Sequence, residues 1–386
     1  MKRLLLAFFF CLPLIGCAAT KLPPVTSQDY SIEDDERRIW TRSAEEEREI
    51  EKSGLVYNDR ALEEYLNAVA RKLQPPLAYK RIPFKIVVLK NPYSNAFAYP
   101  NGVVYVHTGI LARMDNEAQL ATLLAHEMTH ATHRHQISEF RGLKNKAAVF
   151  ASLKSTIGTL PAIGELTNVL GEIGAEAAIT GHSRELETEA DMVGIRLMVE
   201  AGYKPDEAPK LFKHIKAELD EDDVTEPFFF GSHPRLDDRV GNYEQYLKTL
   251  KRPERGVENA ELFRKKAAGA FLENAFLDLK AGRFRSARRA GEKYLAARPW
   301  DARGYYLMGE VFRQRDEKGD IKEAIRYFGR AVAADKPYAE AYKGLGLIYF
   351  KTGSKSKAAR AFRAYISLAP NAQDRSYVED YLAQCK

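Results

Sequence analysis

Cysteine is almost absent from this 386-residue chain, occurring only as Cys11, Cys17 and Cys385. So few cysteines, so far apart, exclude a disulfide framework, and stability has to come from a packed core. Long apolar runs are equally scarce. The single one lies between Leu4 and Ile15, and nothing after residue 17 is apolar enough to span a membrane. Neither sign of charge dominates either: 59 Lys and Arg against 53 Asp and Glu leave a net charge of +6, so what the charge does depends on where it sits.

The one apolar run is too short to cross a bilayer comfortably and is preceded by Lys2 and Arg3, the pattern of an export signal over residues 1–16. Leu14-Ile15-Gly16-Cys17 has the form of a bacterial lipobox. There Cys17 becomes the first mature residue and carries the lipid whose acyl chains supply membrane affinity. An ordinary signal peptide that happens to contain cysteine is the alternative. Ala18 rather than Asp follows the cysteine, as in lipoproteins sorted to the outer membrane. The expected location is therefore the periplasm, with the lipid in the inner leaflet of the outer membrane. Residues 17–29, with Pro23 and Pro24, form the tether.

Charge is distributed unevenly along the remainder. Residues 29–59 hold 11 acids and 5 bases in a helical-looking stretch, and residues 261–386 hold 15 acids and 26 bases. A basic half can point to nucleic acid, but export argues against that partner. Anionic lipid, lipopolysaccharide or an acidic protein is the better use of it, and a solvated helical exterior is the plainer one.

The chemistry is concentrated in His126-Glu127-Met128-Thr129-His130. The preceding run from Glu117, with Leu120, Leu123 and Leu124 on one stripe, predicts a helix. On a helix the two histidines lie one turn apart and can share a zinc ion, while Glu127 can reach a metal-bound water. A third ligand is needed. A histidine ten positions beyond the first would supply it in one common pattern, but position 136 is Gln. Neither His133 nor His135 is four positions from His130, so they are surface residues or supports of the ligands. A better candidate lies downstream, where Glu187 and Asp191 are four apart and Ile195 extends their row. That row suits Glu187 as a zinc ligand and Asp191 as acceptor of a ligand imidazole's second N–H, with Glu185 and Glu189 facing solvent. An exposed acidic patch is the alternative.

Upstream, residues 61–74 predict an amphipathic helix stopped by Pro75-Pro76, and Phe84–Leu89 predicts a strand. Asn95–Tyr99 and Val103–Val106 flank Pro100-Asn101-Gly102 and predict a hairpin. The expectation is a small antiparallel sheet with an edge that could accept an extended polypeptide.

Four pieces in this order resemble the Ste24-type, CAAX-prenyl-protease-like zinc metallopeptidases, in particular their periplasmic lipoprotein branch. They are Asn95-Ala96-Phe97-Ala98, the His126–His130 run with Arg134-His135 after it, Ser183-Arg184 with Glu187, Ala190 and Asp191, and Ser232-His233-Pro234 with Arg239. The resemblance implies a gluzincin site in which His126, His130 and Glu187 bind zinc, Glu127 is the general base and Asp191 supports a ligand. It also implies that His233 is a self-inhibitory fourth ligand, with a structural loop histidine as the alternative. Arg239 either supports the site and the tetrahedral intermediate or is a plain surface arginine. The glycine-rich gap 136–182 is expected to hold two or three short helices, forming a lid over the cleft or a plain helical subdomain.

From about residue 261 the sequence repeats. Residues 339–372 place Tyr342, Leu345-Gly346, Tyr349, Ala358, Phe362 and Pro370 at tetratricopeptide spacings, residues 302–337 follow with about three extra residues near Asp316–Asp320, and 268–301 is a weaker copy. Such an array offers a concave face for a partner or an unfolded substrate. The expected architecture is α+β: a mostly helical metallopeptidase domain over residues 30–250 containing the small sheet, then an all-α repeat array over 261–386. The expected activity is zinc-dependent cleavage of misfolded or stalled envelope proteins, with the repeats docking them or the outer-membrane assembly machinery. A non-proteolytic chaperone or assembly factor acting through the repeats is the competing reading.

Overall fold

The computed structural model describes residues 22–143, 169–175, 177, 181–222, 236–251 and 255–385. The export segment, Cys17, residues 144–168 of the expected lid and the Ser232-His233-Pro234 segment lie outside the described residues.

Helix α1 (Asp34–Lys52) opens with Asp34, Asp35 and Glu36, whose charges favour a helix N-terminus. In α2 (Arg60–Leu73) the Asp59 side chain accepts from Leu62 N as N-cap, and Leu62, Tyr65, Leu66, Val69, Ala70 and Leu73 form the buried stripe. Pro75 and Pro76 end it and start the short α3 (Pro76–Arg81). Strands β1 (Lys85–Leu89), β2 (Ala96–Ala98) and β3 (Val103–His107) follow.

The strand order is β1-β3-β2. The expected hairpin is present, with Ala96 opposite Val106, Phe97 opposite Tyr105 and Ala98 opposite Val104. However, β1 runs parallel to β3, with Lys85 opposite Val103 and Leu89 opposite His107, so the sheet is mixed rather than wholly antiparallel. The loop 90–95 carries the chain past the future position of β3, and the hairpin then returns β3 between its two predecessors. Both faces are covered. Ile86, Val88, Ala96, Ala98, Val104 and Val106 point into the main core with α2, while Val87, Leu89, Phe97, Tyr99, Val103 and Tyr105 meet Ile50 of α1 and Ile173 on the other side. This two-residue alternation, apolar on both faces, is what burial of the whole sheet demands.

After the short α4 (Thr108–Arg113), helix α5 (Glu117–Thr132) passes through the centre of the molecule. Asn116 caps it by accepting from Gln119 N, and all sixteen of its residues are buried. Leu120, Leu123 and Leu124 each contribute about 1.5–3 kcal/mol by burial, which offsets the cost of carrying polar His126, Glu127 and His130 inside. Arg134 then takes a left-handed conformation (φ 59°), and α6 (His135–Leu143) turns away. The helix Arg184–Glu200, capped by Ser183, buries Glu187, Ala190, Asp191, Gly194, Ile195 and Met198 along one face. The helices Ala208–Asp222 and Leu236–Leu247 complete this half.

Three antiparallel helix pairs follow: Ala260–Lys280 with Phe284–Ala297, Ala302–Arg315 with Asp320–Ala334, and Ala339–Lys351 with Lys355–Leu368, before a final helix Arg375–Ala383. Glycines let them interlock. A Cβ on Gly309 or Gly344 would stand 2.5 Å from the Phe328 ring, which is wedged between the two. The extra residues of the second pair lie in a turn holding Asp316 (φ 57°) and Gly319 (φ 96°). The main core does not stop at residue 250. It runs from Leu111, Phe212 and Tyr243 into Phe263, Phe271, Ala287 and Leu307 without a break. Among the described residues no helix is long and apolar enough to cross a membrane.

Candidate metal centre

Two helices and one close approach build the site. On α5, His126 and His130 are one turn apart and both 0 % exposed, with their Nε2 atoms 3.0 Å from each other. The Arg184–Glu200 helix brings Glu187 to them: Oε2 lies 3.5 Å from His126 Nε2 and Oε1 3.4 Å from His130 Nε2. The approach depends on Gly194, where a Cβ would stand 3.1 Å from the His126 backbone nitrogen. One ligand atom from each of His126, His130 and Glu187 falls within 4.8 Å of the others.

Each histidine is held from behind. His126 Nδ1 lies 3.0 Å from Asp191 Oδ1. That carboxylate also accepts from Arg239 Nη2 at 2.7 Å and from the Tyr243 hydroxyl at 2.7 Å. Arg239 is 2 % exposed and stacks over the Phe212 ring at 4.1 Å, so it is a buried support and not a surface arginine. Its Nη1 reaches to 3.7 Å from Glu187. Burial would raise the Asp191 pKa, but Arg239 and His126 outweigh it and bring the carboxyl below its usual range.

His130 has a different support. Its Nδ1 lies 2.9 Å from Nδ1 of His135. Burial, then the neighbouring His182 and His133 rings, push the His135 pKa down to about 2, so this ring is neutral. If His130 keeps the Nε2 lone pair for a metal, its Nδ1–H donates to His135 Nδ1. The His135 proton is then on Nε2, which faces Glu189 across 3.7 Å. Glu189, expected in solvent, is thus half-buried beside the site. The ring of His182 stacks on His130 with centroids 3.9 Å apart.

Two imidazoles and a carboxylate are a donor set that zinc accepts. The electrostatics agree. Burial and the Arg239 charge disfavour a protonated His126, yet the Asp191 and Glu187 carboxylates outweigh both and raise its pKa to about 9. The pocket therefore favours added positive charge, and the residues present fit a divalent metal.

Of the residues singled out in the sequence, His126, Glu127, His130, Glu187, Asp191 and Arg239 come together, and Glu127 is buried beside the two histidines. Gln136 turns away and donates from Nε2 to Ala98 O at 3.0 Å. His133 is half-buried at the C-cap of α5. His233 falls outside the described residues. Sequence reasoning passed over Gly194, Tyr243, Glu139 and His182. Tyr243 is one turn from Arg239, a spacing that could have found it. Glu139 and His182 are 43 residues apart and share no local pattern.

The model of peptidase family M48 matches residues 58–246, and that of a tetratricopeptide repeat matches residues 315–373. The chain is 27% identical to the beta-barrel assembly-enhancing protease of Yersinia pestis over 210 residues, which is 53% of this chain and 43% of that protein. Its counterpart in Escherichia coli K12 is 27% identical over 174 residues, 44% of this chain and 35% of that one. The mitochondrial metalloendopeptidase OMA1 of Schizosaccharomyces pombe is 29% identical over 198 residues, 50% of this chain and 56% of that one. The chain therefore spans less than half the length of the first two of these relatives. A crystal structure of MamA protein aligns at a TM-score of 0.26 and 23% identity over 33% of this chain and 79% of that one, too slight a likeness to carry a conclusion.

Proposed function

We propose that this chain, whose residues 58–246 match the model of peptidase family M48 and whose residues 315–373 match that of a tetratricopeptide repeat, is a zinc endopeptidase that hydrolyses envelope proteins. The observation that carries this reading is the buried triad of His126, His130 and Glu187, whose ligand atoms lie within 4.8 Å of one another. These three would hold the metal. What zinc supplies when bound by such a set is Lewis acidity toward a carbonyl and toward water.

The chain's own residues do the rest. Glu127, buried at 1 % exposure next to His126, takes a proton from the attacking water on a carboxylate oxygen and returns it to the departing amine. Asp191 and His135 orient the ligand rings. Arg239 holds Asp191 and faces Glu187, a supporting role. The sheet supplies a place for substrate. The outer edge of β1 is occupied, since Asn67 pairs with both the N–H and the C=O of Ile86, and Tyr57 N donates to Val88 O at 2.8 Å. The other edge is β2, adjoining α5; Gln136 takes its Ala98 carbonyl, and an extended substrate adds along the rest of that edge by strand pairing.

The substrate class is the finer part of the proposal. The relatives named beta-barrel assembly-enhancing protease favour misfolded or stalled outer-membrane and periplasmic proteins, in the manner of the periplasmic Ste24-type branch. A cavity of about 640 Å³ between residues 57–61 and the first repeats is lined by Tyr57, Asp59, Lys265, Lys266, Glu273 and Arg303. Its mixed charges suit docking of a polypeptide. Anchoring through a lipid on Cys17 and closure of the resting site by His233 rest on their sequence motifs.

The test is Glu127→Gln in the purified mature chain. Zinc content should stay at the wild-type level, while digestion of casein falls by at least about 10²-fold. A variant that digests casein as well as wild type does would remove the metallopeptidase reading. Equal support of envelope integrity by both would move the main role to the repeats.

A further inference from the structure

Glu139 of α6 is not a ligand and lies in no motif, yet it touches the start of the helix that carries Glu187 at two points. Its Oε2 lies 2.6 Å from His182 Nδ1, and its Oε1 accepts from Ser183 N at 3.2 Å. Ser183 is the N-cap of the Arg184–Glu200 helix. The Ser183 carbonyl in turn accepts from Glu187 N at 3.0 Å. The backbone of Glu187 is therefore one peptide hydrogen bond away from the residue that Glu139 grips. On its other side His182 stacks on His130, with ring centroids 3.9 Å apart and planes at 15°. One carboxylate thus fixes the residue before the cap, the cap itself and, through the stacked ring, the distance to a histidine on the opposite helix.

We propose that Glu139 and His182 form a clamp that sets the position of Glu187 against His126 and His130, making both positioning residues for the metal. The need for one follows from the architecture. The backbones of the two ligand-bearing helices come close at Gly194, nearly two turns further along than Glu187. Glu187 lies toward the start of its helix, away from that close approach. Asp191, Arg239 and Tyr243 secure the middle of the helix through His126, and Glu139 with His182 secures its start through His130. The hydrogen bond from His182 to Glu139 is the working part, and the stack transmits it.

This inference rests on the metal-site reading, and the experiment separates the two. Zinc affinity of the mature chain is measured by competition with a chromogenic chelator for wild type, Glu187→Gln, Glu139→Gln, His182→Phe and His182→Asn. The thermal midpoint of each metal-free protein is measured alongside. Loss of an outer support typically weakens metal binding 10–100-fold. Glu139→Gln and His182→Phe should each show such a loss, with metal-free midpoints near wild type. The double variant that combines Glu139→Gln with His182→Phe, measured in the same way, should lose no more than either alone, because the two act as one unit. Asn at 182 can still donate from its amide but lacks the ring that stacks on His130, so it should recover only part of the affinity that His182→Phe loses. If Glu139→Gln and His182→Phe bind zinc like wild type while Glu187→Gln has lost it, the clamp is refuted and the metal site stands. If Glu187→Gln also binds like wild type, the metal-site reading fails first. Should Glu139→Gln not fold, the contrast between Phe and Asn at 182 still decides.

Discussion

Asp191 shows how much one carboxylate holds in place here. It takes hydrogen bonds from Arg239 and Tyr243 and faces His126 Nδ1 at 3.0 Å, at 0 % exposure. Replacing it by Asn keeps the shape but takes from the buried Arg239 guanidinium its nearest carboxylate, leaving it Glu187 at 3.7 Å. Breaking one side of a buried pair costs about 3–5 kcal/mol. Urea unfolding of metal-free Asp191→Asn should therefore show a loss in that range, and a loss under about 1 kcal/mol would mean that the charge is not needed there. At this scale the sequence was informative wherever spacing on one helix carried the message: His126 with His130, and Glu187 with Asp191. It left Arg239 open between a support of the site and a surface arginine, since its burial follows from Phe212 and Asp191 on other helices, and it was silent on Glu139 and His182, which meet only in space.

The elements decide how accurately those residues meet. The two ligand helices touch where Gly194 faces the backbone of Ala125 and His126. Backbone cannot move aside as a flexible side chain can, so a larger residue must push the helices apart. Gly194→Val should cost about 1–3 kcal/mol by overpacking and should also weaken zinc binding, since Glu187 moves with its helix. A lowered thermal midpoint with unchanged zinc affinity would show that the approach at Gly194 serves stability alone. The sheet carries a similar lesson. Its hairpin was legible from the Asn101-Gly102 turn, but the parallel pairing of β1 with β3 was not, because nothing local records which strand returns to the middle.

For the whole molecule, the first helix pair of the repeats is part of the body of the protein. Arg113 and Arg283 share the buried Glu218, Lys293 Nζ donates to Ala112 O and Met114 O, and Arg283 Nη1 donates to Pro92 O in the loop that leads to β2. Phe263, Phe271 and Leu307 belong to the same core as α5. A chain ending at residue 250 would expose that core and strip Glu218 of one partner. It should show no cooperative thermal transition by calorimetry, whereas the full chain should show one. A fragment that melts cooperatively and binds zinc like the full chain would show that the shared core is dispensable. Through the same contacts, polypeptide bound on the first repeats would lie against the elements that hold the edge strand.

The sequence by itself determined the helix of residues 61–74, the helix that carries His126, the repeat periods and the spacings that single out His126, Glu127, His130 and Glu187. Each of these depends on neighbours within a turn or two, or on a period that the chain carries along itself. Only the tertiary structure decided the mixed sheet, the buried role of Arg239, the support of His130 by two further histidines and the continuity of the core into the repeats. These depend on which distant segments exclude water together, and such pairings are chosen by packing of the whole chain rather than by any local spacing.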